Sequence, residues 1–155
     1  MSTLQLLAAD GNRLSAHVVK PEGTPRGAVV VVQEIFGVNS HIRRVAEQYA
    51  AAGYVAIAPA LFDRLQKGVE LGYDAAGLQA GIDFMARTTD EGVLADIRAA
   101  IDAVRHDGRV GMVGYCWGGR VTYLSGCRTD IAAGVAYYGG GTTQLLADTP
   151  RCPML

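Results

Sequence analysis

Residues 28–33 read AVVVVQ, and this run restricts the fold more than any other stretch of the chain. A strand wet on one face alternates apolar and polar residues. A strand apolar at every position is buried on both faces, as in a parallel sheet covered by helices. YVAIA at 54–58, RVGMV at 109–113 and IAAGVAYY at 131–138 read the same way. Between them lie segments of helical period. In SHIRRVAEQYAAAG, residues 40–53, Ile42, Val45, Ala46, Tyr49 and Ala50 share one face, with Ser40 as the expected N-cap and Gly53 as the stop. Leu94, Ile97, Ile101 and Val104 form a second stripe, preceded by Thr88 and Glu91 at capping-box spacing. WGGRVTYLSG at 117–126 predicts another helix. AAGLQAGIDFMAR at 75–87 predicts a weaker one, because Gly77 and Gly81 lower its propensity. This alternation predicts an α/β fold: a mostly parallel sheet with helices on both faces.

Two further segments extend the pattern. LQLLAA and RLSAHVVK, joined through Asp10-Gly11, read as a hairpin before the first βαβ unit. PRCPML at 150–155 reads as the start of one more strand. Without repeats or an internal linker, residues 1–155 are expected to form a single domain, incomplete at its C-terminal side.

Composition narrows the function classes. Half of the 155 residues are hydrophobic and 19% are charged, which suits a folded domain with a substantial core. The net charge of -1 and the lack of a basic cluster argue against nucleic-acid and membrane-surface partners. No apolar stretch nears the ~18 residues of a spanning helix, and the N-terminal residues do not read as a signal peptide. Cys116, Cys127 and Cys152 are odd in number and widely spaced, so neither a disulfide framework nor a zinc site is expected. They predict a reducing, cytoplasmic setting, and no metal or cofactor is expected.

Parallel α/β sheets hold ligands beyond the carboxyl ends of their strands. Two segments sit at such ends. GYCWGG, Gly114–Gly119, has the form glycine, any residue, nucleophile, any residue, glycine between a strand and a helix, which is the pattern of a nucleophile elbow. The helix N-terminus following Cys116 favours a thiolate and a developing oxyanion. The bland alternative is a cysteine packed in a tight turn. The second segment is Gln33-Glu34-Ile35-Phe36-Gly37. A carboxylate at the end of so apolar a strand requires a partner. Glu34 is either a base or orienting group for the thiol, or a loop residue paired with an arginine such as Arg64.

VVVVQEIFGVNSHIRRVAEQYAAAGYVAIAPALFDR, VGYCWGG and AAGVAYYGGG together resemble the dienelactone hydrolase (carboxymethylenebutenolidase) family, of the α/β-hydrolase fold. The resemblance covers nearly the whole chain. It implies a cysteine-histidine-aspartate triad with Cys116 as nucleophile, and Glu34 as the carboxylate that handles the thiol proton. It implies an oxyanion hole from the backbone N–H groups of Ile35 and Trp117. The implied reaction is attack on a small ester or lactone, an acyl-thiol intermediate, then hydrolysis. Family members bind the substrate carboxylate through arginines. In the corresponding region this chain offers Arg64, Tyr73 and Arg87 as substrate-binding candidates.

In this fold the nucleophile precedes the acid and the histidine. His17, His41 and His106 all precede Cys116. His17 reads as a surface or edge residue, His41 as a helix-start residue near the Glu34 loop, and His106 as a helix-end residue. Asp130 and Asp148 follow Cys116, but neither is assigned to the triad. The expectation is therefore a chain truncated before the catalytic Asp and His. A second reading follows from that gap: a hydrolase-like module that binds a ligand or partner without turnover. The natural substrate and the oligomeric state stay open at this level.

Overall fold

The computed structural model describes residues 2–155. Its strands are β1 (Ser2–Leu7), β2 (Arg13–Val19), β3 (Ala28–Val32), β4 (Val55–Pro59), β5 (Val110–Tyr115) and β6 (Ala133–Tyr137). They form a six-stranded sheet in the order β1-β2-β4-β3-β5-β6. Pairing is parallel from β4 through β3 and β5 to β6, and antiparallel at β1–β2 and β2–β4. The helices are α1 (Ser40–Ala51), α2 (Ala75–Ala86), α3 (Asp90–Val104) and α4 (Trp117–Arg128).

The unbroken apolar run of β3 has its explanation in the layers. Val29 and Val31 pack with Ile42, Val45 and Ala46 of α1 on one face. Val30 and Val32 pack with Val93, Ile97 and Ile101 of α3 on the other. All five residues of β3 are buried, so neither parity of the strand has a wet side to supply with polar residues. Each fully buried aliphatic side chain contributes about 2 kcal/mol by area, which makes this central strand the anchor of the sheet.

The chain leaves β3 through α1 to reach β4 on one side, while β5 lies on the other side of β3. The connections part at the carboxyl ends of β3 and β5, where such sheets form a crevice. Both QEIFG and GYCWGG open into this region.

The hairpin forms as expected. Gly11 takes φ 88° and the Ala8 N–H donates to the Asn12 carbonyl at 2.8 Å. Residues 153–155 run beside β6: the Gly134 N–H donates to the Pro153 carbonyl at 3.0 Å, and the Ala136 N–H to the Leu155 carbonyl at 2.7 Å. Among the described residues no helix is long and apolar enough to cross a membrane.

Three local expectations are corrected. The N-cap of α1 is Asn39 rather than Ser40; its Oδ1 accepts from the N–H groups of His41 and Ile42 at 3.1 and 3.2 Å. Thr88 does not cap α3. Its hydroxyl donates to the Met85 carbonyl at 2.7 Å and closes α2, while Thr89 caps α3 by accepting from the Gly92 N–H at 3.1 Å. The two helices abut so closely that adjacent threonines serve different ones. His17 is not on an edge strand, because β2 is paired on both sides. It is half-buried, and its Nε2 has no hydrogen-bond partner.

Asn39→Ala is expected to cost about 1 kcal/mol of stability, the usual value of an N-cap side chain. A urea titration reads this directly. A change under a few tenths would mean that tertiary packing alone holds the start of α1.

Candidate active site

Cys116 joins β5 directly to α4, with φ 54° and ψ -121°. A non-glycine residue in this region is strained by about 1–3 kcal/mol and persists only where its surroundings impose it. Here the Cys116 N–H donates to the Tyr137 carbonyl at 3.0 Å, and its own carbonyl accepts from the Gly119 N–H at 2.9 Å. The flanking glycines permit the bend through close approach. A Cβ at Gly114 would overlap the Gly118 carbonyl, and one at Gly118 would lie 2.5 Å from the carbonyl oxygens of both Val32 and Gln33. The result is a half-buried sulfur at the N-terminus of a twelve-residue helix. Among the described residues, the N–H groups of Ile35 and Trp117 donate to no protein acceptor.

Glu34 follows β3 and is 9% exposed. Its Oε2 accepts from the Tyr73 hydroxyl at 2.5 Å, and the same hydroxyl oxygen accepts from Asn39 Nδ2 at 3.2 Å. The Tyr73 ring leans on Phe36, centroid to centroid 4.4 Å, with its outer face in solvent. Burial of its hydroxyl end, then the bond to Glu34, pushes the Tyr73 phenol up to about 12. Gln33, wholly buried, ties the two strand ends together: its Oε1 accepts from the Leu61 N–H at 3.0 Å, and its Nε2 donates to the Glu34 carbonyl at 3.2 Å.

Tyr138 is exposed at the carboxyl end of the sheet. It follows β6 with φ 40°, a second strained non-glycine position. Its phenol is pushed up by burial, then by the Glu34 carboxylate and by Cys116. Trp117 turns inward and is 5% exposed, stacked 5.2 Å from Phe62, which stacks in turn on Phe84 at 5.2 Å. A cleft of about 360 Å³ opens beside Trp117, bounded by Met85, Thr88, Arg120 and Gly140.

The arginines fall out differently from expectation. Arg64 does not pair with Glu34, and its guanidinium does not face the crevice. Its Nε and Nη2 bond Asp96 at 3.0 and 2.7 Å, Nη1 bonds Asp10 at 2.7 Å, and Nη2 also reaches the Gly92 carbonyl at 3.0 Å. Its donors are committed to a structural network, which corrects its assignment as a substrate-binding residue. Arg87 is exposed at the C-cap of α2, 5.7 Å from the Phe84 ring centroid. Tyr73 does reach the site, but through Glu34. Arg120 is held by Asp90 in a bidentate pair at 2.7 and 3.1 Å.

The histidines and the later acids stand apart. The His41 ring meets the Tyr115 ring edge-on at 6.1 Å, and His106 pairs with Asp107 at 3.3 Å. Asp130 is bound by Arg105 and Asp148 by Arg128. Among the described residues no histidine hydrogen-bonds Cys116 or Glu34, and no group of three or more His, Cys, Asp or Glu could hold a metal ion.

This architecture has known counterparts. The family model for the dienelactone hydrolase family matches residues 14–154. The chain belongs to the dienelactone hydrolase family. Carboxymethylenebutenolidase from Pseudomonas putida is 32% identical over 153 residues, covering 96% of this dienelactone hydrolase family chain and 65% of the relative. A crystal structure of a candidate dienelactone hydrolase from Klebsiella pneumoniae subsp. pneumoniae superposes with a TM-score of 0.73 at 32% identity, over 90% of this chain and 61% of that one. An α/β serine hydrolase from Xanthomonas campestris, 14% identical, shares the fold with a TM-score of 0.68 over 99% of this chain and 68% of that one. The fold is therefore the α/β-hydrolase fold. This member spans 56–65% of the length of curated relatives that it matches.

Sequence reasoning missed Tyr138, Asn39 and the structural role of Gln33. A signal existed for two of them. Gln33 is a polar residue ending an otherwise apolar strand, and Tyr138 opens a glycine loop at a strand's carboxyl end. Nothing local marked Asn39 as touching Tyr73, 34 residues away.

Proposed function

We propose that this chain carries the nucleophile and proton-handling groups of a cysteine-dependent hydrolase acting on small esters or lactones, of the dienelactone kind. The observation that carries this reading is the left-handed bend at Cys116, φ 54°, between β5 and α4. Membership of the dienelactone hydrolase family supports the reaction class. Glu34 takes the thiol proton, and the thiolate attacks the carbonyl carbon. The N–H groups of Ile35 and Trp117 then receive the oxyanion, where fixed donors in a water-poor site are worth most. Collapse of the tetrahedral intermediate expels the alcohol, or the ring oxygen of a lactone, and leaves an acyl-thiol on Cys116. Water releases the acid in a second step, for which a base is needed. With no histidine bonded to the pair, acylation is expected to outrun deacylation in these 155 residues. Free thiols at all three cysteines suit a reducing compartment such as the cytoplasm.

The test uses p-nitrophenyl acetate. The expected result is a burst of nitrophenolate stoichiometric with protein, followed by a slow steady rate, with the acetyl group mapped by mass spectrometry to Cys116. Cys127 and Cys152 serve as internal controls, since burial pushes both thiols up and makes them poorer nucleophiles. Acetyl spread evenly over the three cysteines would favour the ligand-binding module without turnover.

A further inference from the structure

Glu34 is buried, yet its only side-chain hydrogen bond among the described residues comes from a residue that is 60% exposed. A buried charge is normally held by groups that are themselves buried. Here the holder is Tyr73, on the irregular segment between residues 70 and 75 that leads into α2. Its hydroxyl oxygen is aimed by Asn39 Nδ2 at 3.2 Å, and its ring rests on Phe36 at 4.4 Å. Asn39 also caps α1, so one amide fixes both the helix and the phenol. The O–H to carboxylate distance of 2.5 Å is that of a charge-assisted bond, about twice as strong as a neutral one.

From this geometry we infer that Tyr73 is a positioning residue that tethers Glu34 and sets its basicity toward the Cys116 thiol. The inference rests on the reading of Glu34 as the thiol's base. A hydrogen bond donated to a carboxylate favours the charged form and lowers its affinity for a proton. While the tether holds, the Glu34 carboxylate stays turned onto the phenol. A proton arriving from Cys116 must displace that bond, or occupy the oxygen that Tyr73 leaves free. No bond changes in this step beyond the transfer of one proton from sulfur to a carboxylate oxygen.

The experiment is the pH dependence of the acylation burst with p-nitrophenyl acetate, measured from pH 4 to 8 in wild type, Tyr73→Phe and Glu34→Gln. Tyr73→Phe keeps the ring on Phe36 and removes only the donor. The expected result is an acid limb displaced upward by about one pH unit in Tyr73→Phe, since the untethered carboxylate binds its proton more readily. Glu34→Gln is expected to abolish that limb. A Tyr73→Phe burst slowed equally at every pH, with the limb unmoved, would assign the phenol a merely structural role and overturn the inference. If Glu34→Gln leaves the wild-type limb in place, then Glu34 is not the base, and the underlying functional reading of that residue falls first.

Discussion

Cys116→Ala is expected to abolish the acylation burst, with a loss of at least ~10³-fold in rate. Three features converge on this sulfur alone. The backbone at residue 116 takes φ 54° at the strand-to-helix bend and leaves the cysteine half-buried. It stands at the N-terminus of the twelve-residue helix α4. Among the described residues the Ile35 and Trp117 N–H groups donate to no protein acceptor, as the proposed oxyanion hole requires. Alanine keeps the fold, because it suffers the same backbone strain as cysteine and loses one sulfur atom from a half-buried site. Circular dichroism should therefore be unchanged. Cys116→Ser is the sharper comparison. A hydroxyl holds its proton far more tightly than a thiol, so a carboxylate base that serves sulfur serves oxygen poorly. The serine variant should fall close to alanine. A burst in Cys116→Ala above about a tenth of wild type would remove the nucleophile from this position and with it the proposed chemistry.

Arg64→Ala is expected to destabilise the fold by about 3 kcal/mol, the scale for leaving a buried charge without its partner. Asp96 is fully buried on α3, and Arg64 meets it through two nitrogens at 3.0 and 2.7 Å. The same guanidinium reaches Asp10 in the β1–β2 turn, and Asn12 Nδ2 supplies Asp96 with one further bond at 2.9 Å. The network therefore fastens the hairpin to α3. Without Arg64, the Asp96 carboxylate keeps only the asparagine donor in a dry setting. Urea unfolding reads the loss, and Arg64→Met with Asp96→Leu should recover most of it, since apolar replacement of a whole buried pair is often close to neutral. A single Arg64→Ala loss below about 1 kcal/mol would show the network to be wet and weak. The burst amplitude of folded Arg64→Ala should match wild type, because this arginine faces away from the crevice.

Much of the site was legible before any coordinates. The alternation of apolar runs and helical periods predicted the parallel sheet, and the motif GYCWGG predicted the bend at Cys116, because a strand-to-helix turn with such close approach tolerates only glycine at its flanks. α2 was read as weak for its glycines. The structure gives those glycines a purpose: a Cβ at Gly81 would overlap the Ile35 carbonyl, so the helix seats directly on the loop that carries Glu34. Propensity counts each glycine as a local cost and cannot register a contact made 46 residues away in the chain.

Pairing among charged and polar side chains was the part that the sequence could not specify. Arg64 stood as a partner for Glu34 or for substrate, whereas it belongs to Asp96 and Asp10; Tyr73 stood as a substrate-binding candidate, and its bond to Glu34 was not foreseen. Hydrophobic period and turn chemistry are properties of neighbours along the chain, so the β strands, the helices and the elbow at Cys116 follow from the order of residues alone. Which donor meets which carboxylate depends on where separate loops arrive after the sheet has closed. That is why the tether at Glu34, the commitment of Arg64 and the strained backbone at Tyr138 were decided only by the tertiary structure.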